Sequence, residues 1–436
     1  MESNFKLSLS DLSFSSTPEL KVMNFLNEVA GEFPAAISFA SGRPLEAFFD
    51  VSKWFDQIEL FANHISSKSG LDPQVVTKQL GQYGRTKGII NDLVSESLRL
   101  DEKVTVTGDD IVITNGAQEA MVLILSGLFV KGVDVLLVTD PTYIGITGLA
   151  SVFGIDIVVI ESDDEGPRLD CLQSKCKHIY EAGKVAKALY VIPDFNNPMG
   201  HSMSLARREA LLSVADGLSL MLIEDNPYGL FRFENTALPT LKSLDSKGIV
   251  IYIGTFSKTI CPGLRVGYIA TELWLDDDNE KRRLSDELTK IKSLISVNTG
   301  QVAQAIVGGV LLEHNCSVKH LIAPNIIRYK KNRDLLLHYL EEEFISSGRF
   351  KTGEVSWNIP EGGFFIVIKL PISFNESETY ECAQDYNVIC MPLNFFSVNK
   401  QYDRYIRLSY SYIDEEEIAV GIRSLADFIS KKLLAS

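Results

Sequence analysis

The sequence predicts an α/β fold: a large domain on a mostly parallel sheet flanked by helices, followed by a smaller α+β domain. Three observations carry this. From about Gly81 onward, short runs rich in Val, Ile and Leu alternate with segments of helical periodicity. The runs are apolar almost throughout instead of alternating, so both faces of each strand are covered, as in parallel sheets with helices on either side. Each run breaks at a polar or Gly/Pro turn signal. That places the polar clusters beyond the carboxyl ends of the strands, where open α/β sheets collect ligands.

In chain order, "DIVITNG" is a strand ending in Asn-Gly, and "AQEAMVLILSGLF" continues it as a helix. "VDVLLVTDPTY" is a strand that breaks at Asp-Pro, and "GIDIVVIES" is another. "KALYVIPDFNNPMG", "LSLMLIEDNPYG" and "GIVIYIGTFSK" repeat the plan. After about Ala323 the pattern changes. "NIIRYKKNRDLLLHYLEEEF" has the spacing of one long amphipathic helix, followed by "GGFFIVIKL", "YNVICMPLNFF" and a strand–helix ending from "YIRLSY" onward. The expected division is therefore an N-terminal segment 1–45 that joins the small domain or a partner subunit, a large domain 46–323, and a small domain 324–436.

Composition narrows the function. The 436 residues are 45% hydrophobic and 23% charged, which is ordinary globular usage. A formal net charge of -15, scattered along the chain, repels phosphate backbones and anionic lipid, so neither nucleic acid nor membrane is an expected partner. No apolar run is long enough for a spanning helix, and no secretory or mitochondrial leader pattern opens the chain. The six cysteines are dispersed without zinc spacing, so no metal is expected and a reduced, cytoplasmic setting fits.

The polar residues at the strand ends form a set. Gly116, Ala117 and Gln118 stand where a strand gives way to a helix N-terminus, a ready anion site. Tyr143 follows Asp-Pro, Asn197 precedes a proline, and Asp225 with Tyr228 closes an apolar strand. Thr255, Ser257, Lys258 and Arg265 crowd one short segment. Singly, each has a plainer reading: a turn that binds nothing, a tyrosine packed in a loop, an arginine on the surface. Together they match an aromatic aldehyde that carries a phosphate and a basic ring nitrogen. Lys258, with its amine pKa lowered by burial and neighbouring cations, condenses with the aldehyde. Asp225 keeps the ring nitrogen protonated. Tyr143 stacks on the ring, and Tyr228 and Asn197 bond its phenolic oxygen. Thr255, Ser257, Arg265 and the amides near Ala117 and Gln118 take the phosphate.

This ordered set of GAQ, PTY, NNPMG, D-x-x-Y, TFSK-(six residues)-R and YIRLS resembles the class I/II aminotransferases of fold type I, which depend on pyridoxal 5′-phosphate. "ISFASGRP" and "QYGRTKG" look closest to the kynurenine, aromatic and 2-aminoadipate branch. The resemblance implies that Lys258, Asp225 and Tyr143 serve catalysis, and that Gly42, Asn197 and Arg407 meet the substrate, Arg407 by a bidentate fork on its α-carboxylate. It implies that Tyr83 reaches the cofactor phosphate of a neighbouring subunit, so that the protein is a homodimer with a shared site. It also implies cis prolines at Pro141 and Pro198.

Some positions depart from the family pattern. Ala117 and Thr255 stand where relatives carry serine. No arginine precedes Arg43, although relatives with long acidic substrates place one near "TPELKVMNF". Arg43 itself either meets a distal carboxylate or is a solvated loop residue. The implied reaction is a ping-pong transfer of an amino group from an aromatic, kynurenine or 2-aminoadipate type L-amino acid to a 2-oxo acid such as 2-oxoglutarate. Two other readings share the scaffold: a β-lyase or C–S lyase, and a non-catalytic cofactor-sensing domain of a transcription regulator. The acidic chain and the shortness of the segment before "AISFASG" weigh against the regulator.

Overall fold

Residues 28–234, 237–277 and 280–435, together with Val22 and Phe25, are described by the structure, a computed structural model. The apolar runs form strands β1 (Ile111–Thr114), β2 (Asp134–Thr139), β3 (Asp156–Ile160), β4 (Val185–Val191), β5 (Met221–Asp225), β6 (Val250–Thr255) and β7 (Gly267–Ala270). They make one seven-stranded sheet in the order β1-β7-β6-β5-β4-β2-β3. Neighbours are parallel except around β7, which runs antiparallel to β1 and β6.

Burial follows the composition of the runs. Every residue of β1 and β2 is buried. Alternate residues of β2 point to opposite faces: Leu136 and Val138 join one core cluster, Val135 and Leu137 another. Each fully buried Leu, Ile or Val contributes about 1.5–3 kcal/mol relative to exposure. The run at Asp156–Ile160 differs from expectation. It is only partly buried, because β3 is the edge strand, and position within a sheet leaves no mark in an apolar run. The faces are covered by helices that include α1 (Gly116–Leu128), α2 (Ile144–Phe153), α3 (Leu169–Glu181) and α4 (Leu205–Gly217). Ser204 starts α4 by accepting the Arg207 amide at 3.2 Å, a cap of about 1 kcal/mol.

The C-terminal part holds a four-stranded antiparallel sheet of Ser356–Trp357, Phe365–Lys369, Tyr405–Ser409 and Met391–Pro392. Helices α5 (Lys319–Leu340), α6 (Glu376–Tyr386) and α7 (Glu415–Ala435) accompany it. α5 starts before the change in sequence pattern and carries Pro324 inside it. The pattern change near Ala323 therefore falls within a helix and not in a linker. Ile37–Ser38 pairs in parallel with Val388–Ile389, and Phe25 and Val29 share a cluster with Ala383, Ile389 and Phe396. "TPELKVMNF" lies outside the described residues, Val22 and Phe25 excepted.

Among the described residues, no helix is long and apolar enough to cross a membrane, and no group of three potential ligands could hold a metal ion. The six cysteines are free thiols.

Candidate active site

The carboxyl ends of β1, β2, β4, β5 and β6 lead into loops that converge on one cavity of about 490 Å³, a size usual for small-molecule sites. Its lining includes Gly42, Ala117, Gln118, Tyr143, Asn197, Asp225, Tyr228, Thr255, Ser257, Lys258, Arg265 and Arg407. The structure thus brings together residues spread over more than three hundred positions. Gly116 lies just behind the lining. Its φ is +74°, and a Cβ there would fall 2.3 Å from the Arg265 guanidinium; only glycine leaves that space. Tyr83 is not brought in. It is 83% exposed and does not line the cavity of its own chain.

Two buried ion pairs hold the loops. Asp194 takes both guanidinium nitrogens of the fully buried Arg208, at 2.8 and 2.9 Å, and Arg232 adds a third contact at 3.0 Å. That pins the turn leading to Asn197. The Asp140–Pro141 and Asn197–Pro198 peptides are cis. On the other side, buried Lys292 donates to Glu119 at 2.7 Å, and Glu119 accepts the Asn115 amide at 2.6 Å. This fixes the turn at the N-terminus of α1.

Asp225 ends β5 and is 3% exposed. Its Oδ2 accepts from the Tyr190 hydroxyl at 2.6 Å, while Oδ1 is buried without a partner. Burial pushes its pKa up to about 6, against the Tyr190 hydrogen bond and the Lys258 charge. An unpartnered buried carboxylate oxygen is costly and calls for a donor, best a charged one. Lys258 is half-buried, opening onto the cavity, and its Nζ donates to the Gly42 carbonyl at 2.9 Å. Burial first, then Arg407 and Arg265, pulls its pKa down to about 8.

Arg407 is 4% exposed. One Nη donates to Asn197 Oδ1 at 2.7 Å and the other to the Ala40 carbonyl at 2.6 Å, while Nε has no partner. The guanidinium lies 4.2 Å from the Phe365 ring centroid and 4.8 Å from that of Phe396. Burial lowers its pKa to about 10. Gly42 matters to this packing, since a Cβ there would sit 2.6 Å from the Phe365 ring. At the far end, Arg265 is held in the left-handed region at φ +53°. Its guanidinium donates to Ser257 Oγ and the Asn115 carbonyl, both at 3.4 Å. Thr255 Oγ1 donates to Ser257 Oγ at 3.0 Å and accepts the Ser257 amide at 3.1 Å. Gln118 donates to the Tyr143 hydroxyl at 2.7 Å. Burial, followed by the Asp225 charge, pushes Tyr143 up to about 12, so it stays a neutral phenol.

Several of these groups carry no signal along the chain. Tyr190 reads as one more apolar residue of β4. Phe365 and Phe396 read as core. Lys292 and Arg208 read as surface charges of amphipathic helices, and only the fold shows them buried.

The chain matches the family described as aminotransferase class I and II over residues 74–425. It belongs to that family. The (S)-3,5-dihydroxyphenylglycine transaminase of Amycolatopsis orientalis is 40% identical to this aminotransferase, covering 98% of its chain and 96% of the relative. The aromatic-amino-acid aminotransferase 1 of Thermococcus litoralis is 31% identical, over 93% of this chain and 88% of that one. Among solved structures, Pyrococcus horikoshii kynurenine aminotransferase, in complex with PMP and with KYN as substrate and KYA as product, aligns with a TM-score of 0.79. It is 29% identical and covers 98% of this aminotransferase and 97% of itself. The fold is that of the fold type I aminotransferases, and the named relatives belong to the branch expected from the sequence.

Proposed function

We propose that this aminotransferase holds pyridoxal 5′-phosphate in the cavity and moves an amino group from an aromatic, kynurenine or 2-aminoadipate type L-amino acid to a 2-oxo acid, in two half-reactions. One observation carries the reading: a single cavity presents an amine with lowered pKa, a buried carboxylate with an unpartnered oxygen, and a buried arginine with an unpartnered Nε. Each lacks the complement that a phosphorylated pyridine aldehyde and an α-amino acid supply.

When bound, the cofactor supplies an aldehyde carbon reactive toward amines and a protonated ring that accepts the electron pair left at the substrate Cα. Lys258 Nζ would anchor the group and, when free, would carry the proton of the substrate Cα. Asp225 Oδ1 would hold the ring-nitrogen proton, and the Tyr190 hydroxyl bond orients Asp225 and favours its ionised form. Asn197 and Tyr228, which line the same cavity, would bond the ring oxygen, and Tyr143 would cover one ring face. Thr255, Ser257, Arg265 and the amides that open α1 at Gly116, Ala117 and Gln118 hold the phosphate. Arg407 takes the α-carboxylate between Phe365 and Phe396, where low dielectric strengthens the bond.

We assign the same protein to a homodimer. Tyr83 stands exposed away from its own cavity, and the apolar Leu294 and Val302 are exposed as well, at 91% and 48%. In such a dimer Tyr83 would serve the cofactor phosphate of the neighbouring copy, the role the family resemblance implies for it.

The test is a half-reaction. Holo-protein mixed with amino acid alone converts to the amine form of the cofactor in stoichiometric yield. Catalytic release of pyruvate or ammonia would favour the lyase instead. Because only the neutral amine attacks the aldehyde, the rate of cofactor uptake by ligand-free protein rises with pH, with a midpoint near the Lys258 value of about 8. Stopped-flow absorbance from pH 6 to 10 checks this, and a flat profile would count against Lys258 as the attacking group.

A further inference from the structure

Among the described residues, the cavity is lined by four cationic side chains, Arg43, Lys258, Arg265 and Arg407, and by one carboxylate, Asp225. The proposed ligands account for three of the cations: the imine-forming amine at Lys258, the phosphate at Arg265 and the α-carboxylate at Arg407. Arg43 is left over. Among the described residues, all arginines but four have a carboxylate within ion-pair distance. The four are Arg43, Arg265, Arg404 and Arg407, and three of them line this cavity. Glu46, three residues further along, accepts from the Tyr412 hydroxyl at 3.3 Å.

The backbone around Arg43 is tied to the site. The Ala40 carbonyl accepts from Arg407, the Gly42 carbonyl accepts from Lys258, and the Arg43 carbonyl accepts from Ser411 Oγ at 2.7 Å. Arg43 is exposed, so its guanidinium stands at the wet end of the cavity beside Tyr412. It lies near enough to Lys258 to add to the lowering of that amine's pKa.

We infer that Arg43 binds the second carboxylate of a dicarboxylic substrate, an acidic amino acid or its 2-oxo acid, and so sets selectivity for that class. This rests on the transaminase reading above. With the α-carboxylate assigned to Arg407 and the reacting carbon to Lys258, Arg43 is the cation left in the same cavity for the far end of a longer side chain, next in the chain to Gly42, whose carbonyl accepts from Lys258. A planar fork suits a carboxylate there. In a two-half-reaction scheme both substrates share one cavity, and only one of them needs the second carboxylate.

The experiment compares wild-type holoenzyme with Arg43→Ala and Arg43→Lys. Acceptors are 2-oxoglutarate and pyruvate, which differ in the distal carboxylate. The ratio of their kcat/KM values falls about 10- to 100-fold in Arg43→Ala, the usual loss for one hydrogen-bonded charge contact, and Arg43→Lys lies between. Raising the salt narrows the wild-type ratio, because the site is exposed. Glutarate and butanoate binding by calorimetry gives a readout that needs no turnover. Wild type prefers glutarate, and Arg43→Ala loses the preference. An unchanged ratio, a parallel loss for both acceptors, or glutarate binding equal in wild type and Arg43→Ala overturns the inference. An enzyme that binds glutarate through Arg43 yet transaminates nothing would overturn the proposed function alone.

Discussion

Replacing Lys258 with alanine lowers transamination by about 10⁴-fold or more, since in the proposed reaction one group supplies both the attachment point and the proton carrier. Steady-state turnover with any accepted amino donor measures it. The same site costs stability. The Lys258 amine has a pKa of about 8 in the folded protein against an ordinary 10.5. Between these values the unfolded chain binds a proton that the folded one does not, so stability rises with pH across that window. Below about pH 8 the full penalty applies. Asp225 works in the opposite sense and reaches the same end. Its pKa is about 6 against 3.8, so stability falls as pH rises through that window, and the penalty is complete above about pH 6. At neutral pH both groups destabilise the ligand-free protein. Lys258→Met, which removes the charge and keeps the stem, therefore raises ligand-free stability by roughly 1–2 kcal/mol, discounted because the side chain opens onto the cavity. Denaturant unfolding of the two ligand-free proteins at pH 7 checks it; a less stable variant would mean that the bond to the Gly42 carbonyl outweighs the buried charge.

Asp225→Asn gives the second large effect. The amide oxygen can accept from Tyr190 as before, but the NH2 then turned toward the ring nitrogen is a donor only and cannot hold the ring-nitrogen proton. The loss in kcat is on the order of 10²–10³-fold, comparable with removal of one preorganised charge partner. Tyr190→Phe is milder and shifts the pH profile instead. Without the hydroxyl, whose bond favours the ionised carboxylate, the Asp225 pKa rises further and the acidic limb of activity moves to higher pH. A profile unmoved in Tyr190→Phe, with kcat equal to wild type, would remove Tyr190 from the account.

The sequence and the fold agree where short-range patterning decides, and differ where distance does. The strands of the large sheet are written in continuous apolar runs, and their polar ends mark the ligand face. Lys258, Asp225 and Arg265 could be picked out because each is a charge at the edge of such a run. The antiparallel direction of Gly267–Ala270 carries no local signal, because side-chain alternation is the same for either direction. The pairing of Ile37–Ser38 with Val388–Ile389 joins residues about 350 positions apart, which no window along the chain can show. Tyr190 was hidden for the opposite reason: within "ALYVI" its ring satisfies the core, and only the neighbouring strand reveals a carboxylate facing its hydroxyl. Arg407 shows the limits of composition. Its burial between two phenylalanines comes from the C-terminal sheet and from "MPLNFF", segments that sequence alone presents as ordinary packing.

Chemical trapping shows whether the cofactor is bound covalently through one amine. Holo-protein is reduced with borohydride, digested and mapped by mass spectrometry. The account predicts a single peptide, the one spanning "TFSKTICPGLR", with the cofactor mass on Lys258. Absence of label, or label on another buried amine such as Lys242 or Lys292, would contradict it.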